Sequence, residues 1–505
     1  MTRIGGLGAA LIVALALAAG ASGAVSVGVS EDRGKDVNPA AFFATMTDVG
    51  LTTNRVSVIW DPAKPTAVPA QGQIQSWLPL AQKAGVHIVV AIGAAHPGDL
   101  SAPGAAGQFA AFVGKVAHTF PQVKDYVIGN EPNRPYFWTP QFGPDGKPLS
   151  AAAYEPVLAQ SYDALKAVDP TINVIGVGLS PRGKDNPSLP AIIASRSPVR
   201  FISDLGQAYR ASGRKKPLMD ELAFHPYAAV NTDPPSVGDK WPNAGLPNLD
   251  RIKQAVWDAF HGTAQPTFAE GGRQAFAAKL TFDLDEIGWQ VGVLPSLATL
   301  YSGTEPTPPI DETTQALYYT DVITTSECDQ SIRSLSFFLL EDEANLARWQ
   351  SGLERVDGSH RPSYDAVKQT MAQTHGNCLG EPLVWSHTNQ VISPLVDWAA
   401  SGRVKRTRRS WHFSAGADEE VTYRAGIFKA RTSRRSISRS LSSGRPKPAL
   451  FSRGRINART MSLGLPARRL KPGRYVFAIR MVAAMNPART SLYISRAFTV
   501  VGSHK

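Results

Sequence analysis

The sequence predicts an α/β fold, a (β/α)8 TIM barrel followed by a small all-β sandwich domain. Three observations carry this reading. Short β-branched or apolar runs alternate eight times with longer Ala-rich stretches before Cys378. The turn after the first run, Ser30-Glu31-Asp32-Arg33, offers no glycine cradle for a phosphate, which disfavours a doubly wound open sheet. From Trp411 onward the helical texture gives way to short alternating runs separated by turn residues. Eight alternations over about 350 residues favour a closed parallel sheet.

The strand candidates are Ala24–Val29, Arg55–Trp60, Val86–Gly93, Tyr126–Gly129, Ile172–Gly178, Leu222–Phe224, Leu280–Leu284 and Ile332–Leu340. Each is short and largely apolar, as a strand buried on both faces requires. Between them lie helical candidates at Pro39–Val49, Gln73–Ala84, Ala106–Phe120, Ala151–Val168, Ser197–Ser212 and Leu249–Ala259, then Thr313–Ser326 and Ser363–Thr374. In the second domain the runs Glu420–Lys429, Thr460–Leu465, Arg474–Val482 and Ser491–Val501 alternate, with turns at Leu470-Lys471-Pro472-Gly473 and Asn486-Pro487. Residues 431–447 are rich in Ser and Arg and are expected to form a mobile basic loop. The expected boundaries are a signal peptide at 1–24, the barrel at 25–378, a linker at 379–410 and the basic sandwich at 411–505.

The N-terminus reads as an export signal. Arg3 supplies the positive start, Leu7 to Ala19 the apolar stretch, and Ser22-Gly23-Ala24 the small residues of a cleavage site. About 13 apolar residues fall short of the roughly 20 that span a bilayer, so the mature chain is expected to lack a membrane span. A secreted or cell-wall-associated protein follows. Two cysteines exclude a multi-cysteine metal site, and in an exported chain Cys328 and Cys378 are expected to bridge. The histidines are scattered without ligand spacing, so no metal or other cofactor is expected.

Charge is divided unevenly. Residues 401–505 hold 24 Lys and Arg against 3 Asp and Glu, a net of +21, while the first 400 residues carry −9. That division does not suit a uniformly basic nucleic-acid binder. It suits retention on an anionic cell-wall polymer through the C-terminal domain, or a solvated basic surface with no partner.

A barrel builds its active site where its strands end. The fourth run ends in Gly129-Asn130-Glu131-Pro132-Asn133 and the seventh in Asp285-Glu286-Ile287-Gly288-Trp289. This pair resembles the signatures of clan A glycoside hydrolases, the retaining (β/α)8 enzymes of the cellulase, β-mannanase and β-xylosidase type, over about residues 25–375. The resemblance implies Glu131 as general acid/base and Glu286 as nucleophile. Arg55 resembles the clan's arginine near the nucleophile. His225-Pro226-Tyr227 resembles its His-x-Tyr, whose tyrosine bonds the nucleophile. The tip of the eighth run departs from the clan: it reads Phe338-Leu339-Leu340-Glu341-Asp342, with Trp349 the nearest tryptophan.

The chemistry needs a proton donor and a carboxylate on either side of an oxocarbenium-like centre. Arg55 is expected to hold Glu286 ionised, and Asn130 to bond the sugar's 2-hydroxyl. Trp60, Trp138 and Trp289 are candidate stacking platforms, and His96, His225 and Trp349 candidate subsite residues. Each has a plainer reading: Glu131 as a loop acid, Glu286 as one half of an ion pair, Trp349 as packing, and His96 as a solvated loop residue. Asp283 and Asp285 are expected to point outward to the helices. The function expected is a secreted retaining glycoside hydrolase acting on a β-linked carbohydrate. The alternative is a catalytically inactive glycan-binding protein on the same barrel, which a screen of nitrophenyl glycosides and polysaccharides would distinguish.

Overall fold

The computed structural model describes residues 24–35, 38–271, 279–392, 405–406, 410–445, 447–466 and 470–500. The expected signal up to residue 23 lies outside them, as do 393–404 and 407–409 of the expected linker. Strands β1 (Ser26–Ser30), β2 (Thr53–Trp60), β3 (His87–Ala94), β4 (Asp125–Ile128), β5 (Asn173–Leu179), β6 (Glu221–Phe224), β7 (Thr281–Ile287) and β8 (Ile332–Phe338) close into a parallel barrel in chain order. Closure falls on β1, whose Gly28 sits opposite Thr53 of β2 on one side and Ser336 of β8 on the other.

Helices α1 (Pro39–Val49), α2 (Gln71–Lys83), α3 (Ala105–Thr119), α4 (Ser150–Val168), α5 (Pro198–Ser212), α6 (Leu249–Phe260), α7 (Glu312–Cys328) and α8 (Pro362–Thr374) follow the strands. α1 shows how local chemistry sets the bounds. Pro39 suits the first turn, Asn38 Oδ1 accepts the Ala41 N–H, and Gly50 at φ 85° ends the helix in the left-handed region. Strand alternation divides each β-strand between two layers. On β2, Val56, Val58 and Trp60 are buried in the main core, whereas Arg55, Ser57 and Ile59 line the barrel mouth.

The lower lumen is closed by charge. Arg333 Nε lies 2.7 and 2.8 Å from the Glu221 carboxylate oxygens. Asn173 Nδ2 donates to both Asp125 and Glu221 at 2.7 Å, and His87 Nε2 lies 2.7 Å from Asp125. Burial opposes the Asp125 charge, but the His87 hydrogen bond and the Arg333 charge outweigh it and hold its pKa down to about 2. Above this layer Val89, Ala91, Val127, Ile175 and Ala223 form an apolar plug. The side chains at the mouth therefore rest on a dry floor.

The second domain is a sandwich, as expected. β9 (Lys405–Arg406), β10 (Ser410–Gly416) and β13 (Thr460–Pro466) form one sheet. β11 (Glu420–Lys429), β12 (Leu450–Asn457), β14 (Gly473–Ala483), β15 (Thr490–Ile494) and β16 (Phe498–Val500) form the other. Phe413 and Phe477 stack between the sheets at 4.0 Å. The expected basic loop is instead largely a helix, α9 (Arg434–Ser443). Ser433 caps its start, Gly444 its end, and Ile437 and Leu441 bury against Phe428, Val476 and Ala478. Composition concealed that i, i+4 apolar pair. The expected linker also starts later than residue 379, because Trp385 is buried in the barrel core and His387 stacks on Trp257 at 3.9 Å.

Cys328, the last residue of α7, is bonded to Cys378, with their Cα atoms 4.6 Å apart. Replacing both by serine should cost about 4 kcal/mol of stability, the chain entropy of a closed 50-residue loop. Denaturant unfolding of the oxidised protein and the double variant checks this; equal midpoints would contradict it.

Candidate active site

β4 ends in a sharp turn. Gly129 takes φ 87°, where an added Cβ would stand 3.2 Å from the Tyr154 ring. Glu131 follows at φ 39°, a conformation costly for a side-chain-bearing residue. The turn is held by β5 and its loop. Glu131 N donates to Gly178 O at 2.8 Å, and buried Asn133 bonds both the N–H and the carbonyl of Ser180 at 3.0 Å. The Glu131 side chain is thereby fixed over the barrel mouth.

β7 delivers two neighbouring acids to the same place. Phe282 and Leu284 face the helices, while Asp283 and Asp285 face the lumen. The expectation that these aspartates point outward is therefore corrected: the alternation runs in the opposite phase. Asp283 bonds Ser334, and its pKa rises to about 8, chiefly through burial and then the charge of Asp285. The register against β8 slips between Phe282 and Asp283 and again between Leu284 and Ile287, and the second slip lets Glu286 reach the mouth beside Asp285.

Two cations knit the acids together. Arg55 Nη1 lies 3.0 Å from Glu286 Oε1, and its Nε 2.9 Å from Asp285 Oδ2. The same guanidinium donates to Ser30 Oγ and Asn130 Oδ1, each at 2.9 Å. His225, fully buried at the end of β6, places Nδ1 3.1 Å from Glu131 Oε1 and 3.5 Å from Glu286 Oε2. Its Nε2 lies 3.1 Å from Asp285 Oδ1. The Tyr227 hydroxyl donates to Glu286 Oε2 at 3.3 Å.

Burial opposes a charge on His225, but Glu286 and Asp285 outweigh it and push the imidazole pKa well above its usual value. Asp285 is held below the usual carboxylate range: burial would raise it, yet His225 and Arg55 prevail. Glu286 goes the other way. Burial, joined by the charges of Asp285 and Glu131, outweighs His225 and Arg55 and raises it, so Arg55 does not keep it low as the sequence suggested.

The cleft above these groups has a volume of about 1530 Å³. Trp349 lines it, inclined at 31° to Tyr227 with ring centres 5.1 Å apart and edge-on to Phe338 at 5.4 Å. The aromatic wall at the eighth strand thus comes from the strand tip and the following loop together. The other candidate tryptophans are not platforms. Trp60 faces the helices and packs edge-on against Phe109. Trp138 and Trp289 border the cleft but are each only 1% exposed; Trp138 packs on Tyr154, and Trp289 donates its N–H to Asp233 O. His96 stands exposed at the rim beside Asp99. Sequence reasoning missed Arg134 and Arg182, which line the cleft, and Asp285, which lies buried beneath it against Arg55 and His225. For Asp285 the signal was present, an acid directly preceding the candidate nucleophile, but the slip in β7 leaves no mark in the sequence.

No family model and no curated protein matches this chain. Similar solved structures include a family 39 glycoside hydrolase from the gut symbiont Bacteroides cellulosilyticus WH2, 16% identical over 87% of this chain and 80% of that one, with a TM-score of 0.46. A monomeric β-xylosidase from Caulobacter crescentus CB15 is 13% identical over 88% and 93%, with a TM-score of 0.43. A glucosidase from Croceicoccus marinus is 12% identical over 87% and 92%, with a TM-score of 0.44.

Because Asp285 and Glu286 raise the His225 pKa, the ring should stay protonated well above the ordinary histidine range. Its contribution to stability is full at low pH and is lost as pH rises through the folded value. Asp285→Asn removes one of the charges that sustain it, so the ring should lose its proton at lower pH. Imidazole resonances followed by NMR across a pH series check this; an unmoved titration in the variant would contradict it.

Proposed function

We propose that the protein is an exported glycoside hydrolase that cleaves a β-linked glycan or glycoside with retention of configuration. The observation that carries this is the sharing of one imidazole nitrogen by Glu131 and Glu286, at 3.1 and 3.5 Å. Carboxylates so joined favour the close spacing of retaining pairs, about 5–5.5 Å, over the wider gap that admits water between inverting ones. Arg55, His225 and Tyr227 all converge on Glu286, and this suits the nucleophile.

In the first step a Glu286 oxygen bonds to the anomeric carbon as the glycosidic C–O bond breaks. Glu131 gives its proton to the departing oxygen. In the second step Glu131 takes a proton from water, whose oxygen displaces Glu286 from the sugar. Asn130, fixed by Arg55, stands where it can bond a ring hydroxyl, and Trp349 with Tyr227 offers an aromatic wall for a sugar face. The apolar segment near the N-terminus and the Cys328–Cys378 bond support export. A binding protein without turnover would not need both carboxylates or the convergence of cations on one of them.

The two glutamates should fail differently. Glu286→Gln should abolish turnover of every glycoside. Glu131→Ala should slow substrates with poor leaving groups by about 10²–10⁴-fold and spare dinitrophenyl glycosides. Azide should rescue Glu131→Ala with retained configuration and Glu286→Ala with inverted configuration. Equal loss on all substrates without rescue would contradict the assignment. Activity should also fall on the acid side from above the usual glutamate range, because Glu286 must be ionised and burial raises its pKa.

A further inference from the structure

The second domain has three carboxylates, Asp418, Glu419 and Glu420, and all lie toward the barrel. Glu419 meets Arg489, which also lies 3.0 Å from Asp258 of α6. Glu420 lies 2.8 Å from Arg200 of α5, and Asp418 interacts with Arg251 of α6. The outer face of the larger sheet carries arginines, and the one acid on it among the described residues, Glu420, sits at its barrel end.

Strand pairing sets that face in register. Tyr423, Ala425 and Ile427 of β11 point into the sandwich core, so Arg424 points outward. Arg424 sits directly opposite Arg453 on β12 and Arg480 on β14. Three arginines thus form one row across three adjacent strands, spanning about 10 Å at the usual strand spacing. Arg424 Nη1 donates to the Ser442 carbonyl at the end of α9, at 2.6 Å. Among the described residues no carboxylate lies within ion-pair distance of the row. Arg455, two residues beyond Arg453, reaches only Glu420, at 3.7 Å. On α9 the exposed Arg435 and Arg439 add an i, i+4 pair of like charge. Like charges placed directly opposite on strands or four apart on a helix destabilise a fold. Beside the row, Phe451 is 45% exposed opposite Gly426, which has no side chain to cover it.

We propose that this outer face binds an acidic polysaccharide, with Arg453, Arg424 and Arg480 meeting its anionic groups and Phe451 packing on a sugar ring. The row supplies the counter-charge for a chain of regularly spaced acids, and the exposed ring favours a glycan over a bare polyanion. Binding here is independent of the barrel's chemistry, so it can hold or fail whatever the barrel hydrolyses.

The full-length protein would be run by affinity electrophoresis through gels containing polygalacturonate, with a neutral glucan gel in parallel. Retardation should occur in polygalacturonate alone and weaken with added salt. R453Q/R480Q should bind about tenfold more weakly, the loss of two ion pairs, and Phe451→Ala should also weaken binding. K64Q/K83Q on the barrel, an equal change of charge, should bind as the wild type does. The arginine double variant should unfold at the same temperature or higher, because like-charge repulsion is relieved. Equal loss in K64Q/K83Q would show net charge alone and overturn the site. A lowered unfolding temperature in the double variant would make the row structural and overturn it as well. Duplex DNA bound as tightly as polygalacturonate, with Phe451→Ala unchanged, would replace the glycan by a nucleic acid.

Discussion

The site depends on two cations shared among three carboxylates at the floor of the cleft. Arg55 and His225 each touch both Asp285 and Glu286, and His225 also holds Glu131. Removing either cation would leave buried anions uncompensated, at a cost of several kcal/mol. That requirement ties β2 to the ends of β4, β6 and β7 through charge. It explains why Asn133 clamps the turn after β4 and why Ser30 at the end of β1 is engaged by Arg55. Displacing Glu131 would break its contact with the imidazole that also faces Glu286.

The barrel was legible because its signals are local. Short apolar runs and amphipathic stretches follow one another, and each strand end can be read for what comes next. Glu131, Glu286, His225 and Tyr227 were visible for that reason, since each stands at or just past a strand end, while Arg55, near the start of β2, was legible only through the family resemblance. What escaped depends on phase and on distant partners. Trp60 and Arg55 lie on one strand, and only the parity of that strand sends one to the helices and the other to the cleft. Asp285 was assigned the wrong face for the same reason. In the second domain a Ser/Arg-rich composition concealed α9, because two apolar residues, Ile437 and Leu441, suffice to seat it.

The two domains handle charge in opposite ways. In the barrel, cations and acids are interleaved. Arg333 joins Glu221 and Asp125 below the apolar plug, and Arg55 and His225 join the acids above it. In the sandwich the three acids gather at the junction, and a row of arginines farther out has no acid beside it among the described residues. The junction is specific: Asn486 and Arg489 in one turn both meet Asp258. The outer sheet is thus held at a fixed orientation to the barrel.

The closure of the barrel on β1 sets an order in time. Ser26 pairs with Ser334, so the first strand to be made waits for the last one before it has both neighbours. Until then β1 has only β2 beside it, and the barrel stays open along one edge. Completion comes when β8 and α8 arrive. The Val25 N–H then meets the Gly376 carbonyl, two residues from the bond between Cys328 and Cys378. The covalent link thus lies at the seam that is sewn last, and it fastens the closed state.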